Sequence, residues 1–313
     1  MSKRPNLLMM VPVSWTGLWT TTLAAGAINS IVHGRDAYAP ESIDYVLSFR
    51  PPPGILKTLP NLKAAFSLGA GVDGFLSDSD YPKQVPLVRF VDDTLSREMA
   101  QFVVMHVLIH HRCQRLFDDG QPKRQWRQMI LPRRTEDTRI GLLGLGEIGT
   151  FTAARLSELG FPVSGWSRTR KNLPGVKSFA GDGELHDFLA QADFVVCLLA
   201  LTRQTRGILN AKAFAAMPQG CFVINAARGP HLVVEDLIAA LDSGHLSGAV
   251  LDVFETEPLP ESSPLWRHPK VTVTPHIAGI SQPSVAARFV LDGIAKFERG
   301  EKPNNIVDVE TAY

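Results

Sequence analysis

Arg139-Ile140-Gly141-Leu142-Leu143-Gly144-Leu145-Gly146-Glu147-Ile148-Gly149 is the stretch on which the fold turns. Its first half is a short apolar run without alternation, as in a strand buried on both faces. Its second half is a G-x-G-x-x-G turn, and an amphipathic helical pattern over 150–159 follows at once. In that strand–helix setting the turn reads as a phosphate-binding one. Gly144 permits the tight bend, Gly146 lets a pyrophosphate approach the backbone, and Gly149 lets helix and strand pack closely. Glu147 and Ile148 complete the turn, so the positive helix end meets the phosphates.

Working outward, similar apolar runs recur at 162–167, 194–199, 221–225, 248–253 and 271–274, and upstream at 7–11, 43–49, 64–68 and 87–91. Helical patterns lie between many of them, at 96–115 and 234–243, and a last one follows at 284–299. Such alternation predicts an α/β protein of two doubly wound parallel-sheet domains, Rossmann-like and flavodoxin-like, with an active-site cleft between them. Ser96, followed by Arg97 and Glu98, reads as the cap of the 96–115 helix and as a domain boundary. The tail 304–309 is expected to return to the first unit. The predicted domains are therefore a nucleotide domain over 95–282 and a discontinuous substrate-binding domain of 1–94 and 283–313.

The 313 residues suffice for two such domains. With 45% hydrophobic and 20% charged residues the chain reads as globular rather than disordered. A net charge of +1 offers no general attraction to nucleic acid. Three cysteines, Cys113, Cys197 and Cys221, are odd in number and form no CxxC pair, which argues against a disulfide framework or a metal site. A reducing, cytoplasmic setting is expected. Lys3 and Arg4 before Leu7-Leu8-Met9-Met10-Val11 superficially resemble a signal peptide, but Pro12 ends the run early and a buried first strand is the reading. No stretch reaches the ~18 apolar residues of a membrane span.

The cofactor is read from the strand after the glycine turn. An NAD site usually places Asp or Glu about 20 residues on, to bind the ribose 2′-hydroxyl. Here the chain reads Gly165-Trp166-Ser167-Arg168-Thr169-Arg170-Lys171, without a carboxylate. Guanidinium forks and hydroxyls suit a 2′-phosphate, which an acid would repel, so NADPH/NADP+ is expected. Arg168 is the first candidate, then Ser167, Thr169 and Lys171.

Three later strings carry acid–base and anchoring groups, each just past an apolar run: Asn225-Ala226-Ala227-Arg228-Gly229, Asp252-Val253-Phe254-Glu255-Thr256-Glu257-Pro258 and Thr274-Pro275-His276-Ile277-Ala278-Gly279. Residues beyond the carboxyl ends of parallel strands line the ligand crevice. Arg228 can grip a carboxylate and a 2-oxo group together, and His276 can move a proton near neutrality. A carboxylate beside a histidine orients it and favours its cationic form. Either Glu255 or Glu257 can supply it, and spacing does not choose between them. The set points to hydride transfer on a small 2-oxo or 2-hydroxy acid.

These strings, with Gly69-Ala70-Gly71-Val72-Asp73, resemble the D-isomer-specific 2-hydroxyacid dehydrogenases over nearly the whole chain, and within them the glyoxylate/hydroxypyruvate reductase A group. That resemblance implies NADPH-dependent reduction of glyoxylate to glycolate and of hydroxypyruvate to D-glycerate, by a homodimer whose partners are small molecules, not nucleic acid or membrane. By the same resemblance Glu257 rather than Glu255 partners His276, Arg228 anchors the substrate, and His276 donates the proton. The Gly69, Ala70, Gly71 and Val72 amides would bind the substrate carboxylate, and Asp252 the nicotinamide carboxamide. Ala200 and Arg203 depart from the family, many members of which carry prolines in this cofactor-lining loop. The expectation is a more mobile loop. The rivals are a reductase of bulkier 2-oxo acids on the same scaffold and a non-catalytic, nucleotide-sensing corepressor-like protein. Near-neutral charge argues against the second.

Overall fold

In the computed structural model, which describes residues 4–309, each strand of both sheets runs parallel to its neighbours. The chain divides into two units: one runs to Asp92 and resumes at Ile280, and the other is Asp93–Gly279. The first holds β1 (Asn6–Met10), β2 (Asn29–Val32), β3 (Tyr45–Ser48), β4 (Ala64–Ser67) and β5 (Leu87–Val88), in the order β2-β1-β3-β4-β5. This is a flavodoxin-like order. Side chains of β3 and β4 are buried on both faces, and Leu8, Val46, Ala65 and Phe75 share one core cluster. The tail does return here: Val307 N–H donates to Leu87 O at 2.8 Å and Ile306 bridges Val88 antiparallel.

The second unit holds β6 (Ile140–Leu143), β7 (Val163–Ser167), β8 (Val176–Ala180), β9 (Phe194–Cys197), β10 (Cys221–Asn225), β11 (Leu246–Leu251) and β12 (Val271–Val273). Their order, β12-β11-β10-β9-β6-β7-β8, reverses between β6 and β9 as in a Rossmann sheet. Leu143, Val195, Val223 and Leu251 are wholly or almost wholly buried, with Leu237 and Leu241 of the Val234–Asp242 helix packed in the same cluster.

Two strands, β2 and β8, are absent from the sequence reading. Both are sheet edges with only partly buried, polar-containing sequences, so neither shows the continuous apolar run of a central strand. The 96–115 helix also needs correcting. It begins at Asp93 and ends at His111, and a separate helix, Gln114–Gly120, follows Cys113, whose φ of 57° breaks the first. Ser96 is therefore not its cap but a buried side chain in its first turns, with Oγ lacking a hydrogen-bond partner. Asp93, in the first turn, supplies the negative charge that a helix start favours. Among the described residues no helix is long and apolar enough to cross a membrane.

Asp193, just before β9, ties that strand to β6. It accepts from Arg139 N (2.9 Å), Nε (2.9 Å) and Nη2 (3.0 Å), and pairs with Arg133. Burial pushes its carboxyl up, but the Arg139 and Arg133 hydrogen bonds outweigh this and hold it below the ordinary range. A depressed acid stabilises the fold above its unfolded pKa of about 3.9, and that stability is lost as pH falls through the lower folded value. Asp193→Asn is expected to cost about 1–2 kcal/mol at pH 7, the half-exposed guanidiniums being screened by water. In urea unfolding the gap to wild type should narrow below about pH 4. A gap independent of pH would contradict this role.

Candidate active site

Because every strand of the second sheet points the same way, its carboxyl ends form one edge, and the sequence-picked residues of this unit fall along it. The glycine turn follows β6, Ser167 ends β7, Ala200 follows β9, Arg228 follows β10, Asp252 and Glu257 follow β11, and His276 follows β12. Gly69–Val72 follow β4 in the other unit, where Ser67 Oγ donates to Gly71 O at 2.9 Å and shapes the turn.

His276 has a left-handed backbone, φ 55°, rare for a residue other than glycine. Asp252 enforces it. Asp252 O accepts the His276 N–H at 2.8 Å, Oδ1 accepts Thr274 Oγ1 (2.6 Å) and Ile277 N (2.9 Å), and Oδ2 accepts Ala278 N (2.9 Å). At 1% exposure, the Asp252 carboxylate is thus first a brace for the His276 loop. Strain held in place by so many bonds is characteristic of functional positions.

His276 Nδ1 lies 2.8 Å from Glu257 Oε2, and Glu257 Oε1 accepts the Phe254 N–H at 2.8 Å. Burial pushes the Glu257 carboxyl up, but the His276 and Phe254 hydrogen bonds and the charges of His276 and Arg228 more than reverse this. The carboxyl lies below its ordinary value and is ionised at neutral pH. Glu255, 71% exposed, pairs instead with Arg206 at 3.2 Å. Geometry thus separates two glutamates that spacing leaves equivalent.

The Arg228 loop is held by groups the sequence reading passed over. Buried Asn225 accepts Ala227 N through Oδ1 (3.2 Å) and donates through Nδ2 to Arg228 O (3.0 Å). His231, wholly buried, stands against the Arg228 backbone and against Ala200 O. Gly229 packs so tightly on the next loop that a Cβ there would lie 1.9 Å from Phe254 C and 2.2 Å from Glu255 N. A buried Asn closing a central strand and a glycine right after the loop cation were the available signals.

On the cofactor side the glycines fit a phosphate cradle. Gly144 has φ +107°, a Cβ at Gly149 would meet Gly144 O at 1.9 Å, and one at Gly146 would meet nothing within 4 Å. That open side admits a pyrophosphate, and the Glu147–Glu158 helix starts there with no side chain capping it. Ser167 Oγ donates to Thr169 O at 2.8 Å, folding the loop that carries the exposed Arg168, Thr169 and Lys171. Arg170 turns away, paired with Glu184 and donating to Ser178 O. The loop lacking prolines is braced otherwise: Thr205 Oγ1 donates to Ala200 O (2.8 Å) and accepts Thr202 N (2.8 Å), while Thr202 Oγ1 accepts Thr205 N (3.2 Å). Hydrogen bonds restrain it where ring closure does not.

A glycine phosphate turn at the strand-order reversal of a parallel sheet defines a Rossmann-type nucleotide-binding protein. The chain belongs to the D-isomer specific 2-hydroxyacid dehydrogenase family, whose NAD-binding-domain model matches residues 104–278. Three solved structures are similar over its length. A D-isomer specific 2-hydroxyacid dehydrogenase from Xanthobacter autotrophicus Py2, in complex with NADPH and MES, is 41% identical with a TM-score of 0.92, covering 99% of this chain and 100% of that one. An NADPH-dependent glyoxylate/hydroxypyruvate reductase from Sinorhizobium meliloti, with NADP and sulfate, is 37% identical with a TM-score of 0.91 and the same coverage. A probable 2-hydroxyacid dehydrogenase from Rhizobium etli CFN 42, with NADP, HEPES and L(+)-tartaric acid, is 37% identical with a TM-score of 0.89, again over 99% and 100%.

Proposed function

We propose that this protein reduces glyoxylate to glycolate and hydroxypyruvate to D-glycerate with NADPH. The observation that carries the reading is the 2.8 Å His276–Glu257 contact on the same sheet edge as Arg228 and the cationic Arg168 loop. The 37% identity to the Sinorhizobium meliloti reductase supports the substrate class. Bound NADPH supplies the hydride that C2 of the 2-oxo acid accepts. Arg228 holds the carboxylate and polarises the carbonyl. With Nδ1 engaged by Glu257, which fixes the ring's orientation, His276 gives its Nε2 proton to the C2 oxygen as charge develops there. Asp252 has about one acceptor direction beyond those the His276 loop occupies, enough for the nicotinamide carboxamide. Arg168, with Ser167, Thr169 and Lys171, binds the 2′-phosphate.

The protein is further proposed to act in the cytoplasm as a homodimer. Trp126 and Ile130, 91% and 95% exposed, support a surface that a second copy covers.

Initial rates with NADPH and NADH against glyoxylate, hydroxypyruvate, pyruvate and phenylpyruvate test the assignment. NADPH with glyoxylate and hydroxypyruvate is expected to give the highest kcat/KM, and Arg168→Ala should shrink the NADPH preference about tenfold or more. Highest efficiency with phenylpyruvate would make it a reductase of bulkier acids. Cofactor binding without turnover would make it a nucleotide sensor. Unchanged selectivity in Arg168→Ala would put the 2′-phosphate elsewhere.

A further inference from the structure

His231 sits at 0% exposure where two loops of the nucleotide unit meet. Its Nδ1 is 3.2 Å from Arg228 N and 3.1 Å from Arg228 O, and its Nε2 is 3.3 Å from Ala200 O. Only one neutral tautomer satisfies both ends. If Nδ1 carried the proton, the bare Nε2 lone pair would face the Ala200 carbonyl. If Nε2 carries it, Nε2–H donates to Ala200 O and Nδ1 accepts the Arg228 N–H. Arg228 O is already served by Asn225 Nδ2 at 3.0 Å and needs no second donor. The hydrogen-bond network therefore assigns the Nε2–H form.

Backbone bonds also fix the chain at Pro230 and His231. Leu209 N donates to His231 O at 2.9 Å, His231 N donates to Arg228 O at 3.2 Å, and Gly207 N donates to Pro230 O at 2.8 Å. Ala200 O also accepts Thr205 Oγ1, so one carbonyl collects both the loop's internal brace and the histidine. The ring spans the loop after β9 and the loop after β10.

We infer that His231 is a positioning residue that sets the Arg228 backbone with one ring nitrogen and the Ala200 loop with the other, fixing substrate anchor and cofactor loop as one piece. The inference rests on the functional reading above for what each loop binds. It predicts that the two ends separate chemically. Asparagine places an amide near Nδ1 and keeps an acceptor for Arg228 N–H, but does not reach Ala200. Glutamine reaches Ala200 with a donor, but leaves Arg228 N–H without its acceptor.

In steady-state kinetics His231→Asn should raise KM for NADPH about tenfold with KM for glyoxylate near wild type. His231→Gln should do the reverse, a buried polar group left unpaired costing about this much. NADPH affinity by fluorescence titration should follow the same split, weakened in His231→Asn only. A merely structural role would lower the melting temperature of both variants and shift both constants together, and that result overturns the inference. Wild-type protein that binds NADPH but reduces no 2-oxo acid would overturn the functional reading instead. The NADPH affinities would then decide this one, equal affinities in the two variants overturning it. Wild-type protein without NADPH affinity would overturn both.

Discussion

His276→Asn is expected to lower kcat for glyoxylate reduction by about 10²–10⁴-fold, the usual worth of general acid catalysis. NADPH affinity should change little. Asparagine is the informative replacement because the position is left-handed, at φ 55°, and asparagine tolerates that conformation better than alanine. The three Asp252 carboxylate bonds come from Thr274, Ile277 and Ala278, not from the ring, so the loop should hold its course when the imidazole goes. Loss of rate would then report loss of the proton donor rather than collapse of the loop. Stopped-flow oxidation of NADPH at saturating glyoxylate measures it, with cofactor titration as the control. A variant within threefold of wild type would remove His276 from the chemistry.

The central strands are legible in the sequence because parallel strands covered on both faces carry unbroken apolar runs, as Phe194–Cys197 and Cys221–Asn225 do. The edges β2 and β8 are not, since Asn29, Ser30, Lys177 and Ser178 look like loop residues when solvent takes one side. Glycine spacing marks the phosphate turn because a backbone contact, not a side chain, sets its chemistry. Which glutamate meets His276 is hidden for the opposite reason. It depends on the Phe254 N–H catching Glu257 Oε1 in an irregular segment, and no periodicity encodes that. His231 is hidden likewise: among nine histidines, only burial and two backbone partners distinguish it.

Gly229→Ala should be as damaging to catalysis as loss of an active-site side chain, although glycine has no reactive group. A Cβ there would stand 1.9 Å from Phe254 C, 2.2 Å from Glu255 N and 2.3 Å from Phe254 O, all backbone atoms that no rotamer change can clear. The chain has two ways to relieve the clash. Moving the Arg228 loop breaks the Asn225 and His231 bonds that set it. Moving the Phe254–Glu255 segment takes away the N–H that orients Glu257, and with it the 2.8 Å contact to His276. Either displacement misplaces one member of the proposed anchor–acid pair, and an error near 1 Å costs about 10²-fold in rate. Overpacking of this kind should also cost about 1–3 kcal/mol of stability, readable in urea unfolding. The kinetic signature distinguishes the routes. A displaced Arg228 raises KM for the oxo acid, whereas a displaced Glu257 lowers kcat with KM held. Wild-type kcat/KM in Gly229→Ala would mean that the two loops are not coupled through this contact.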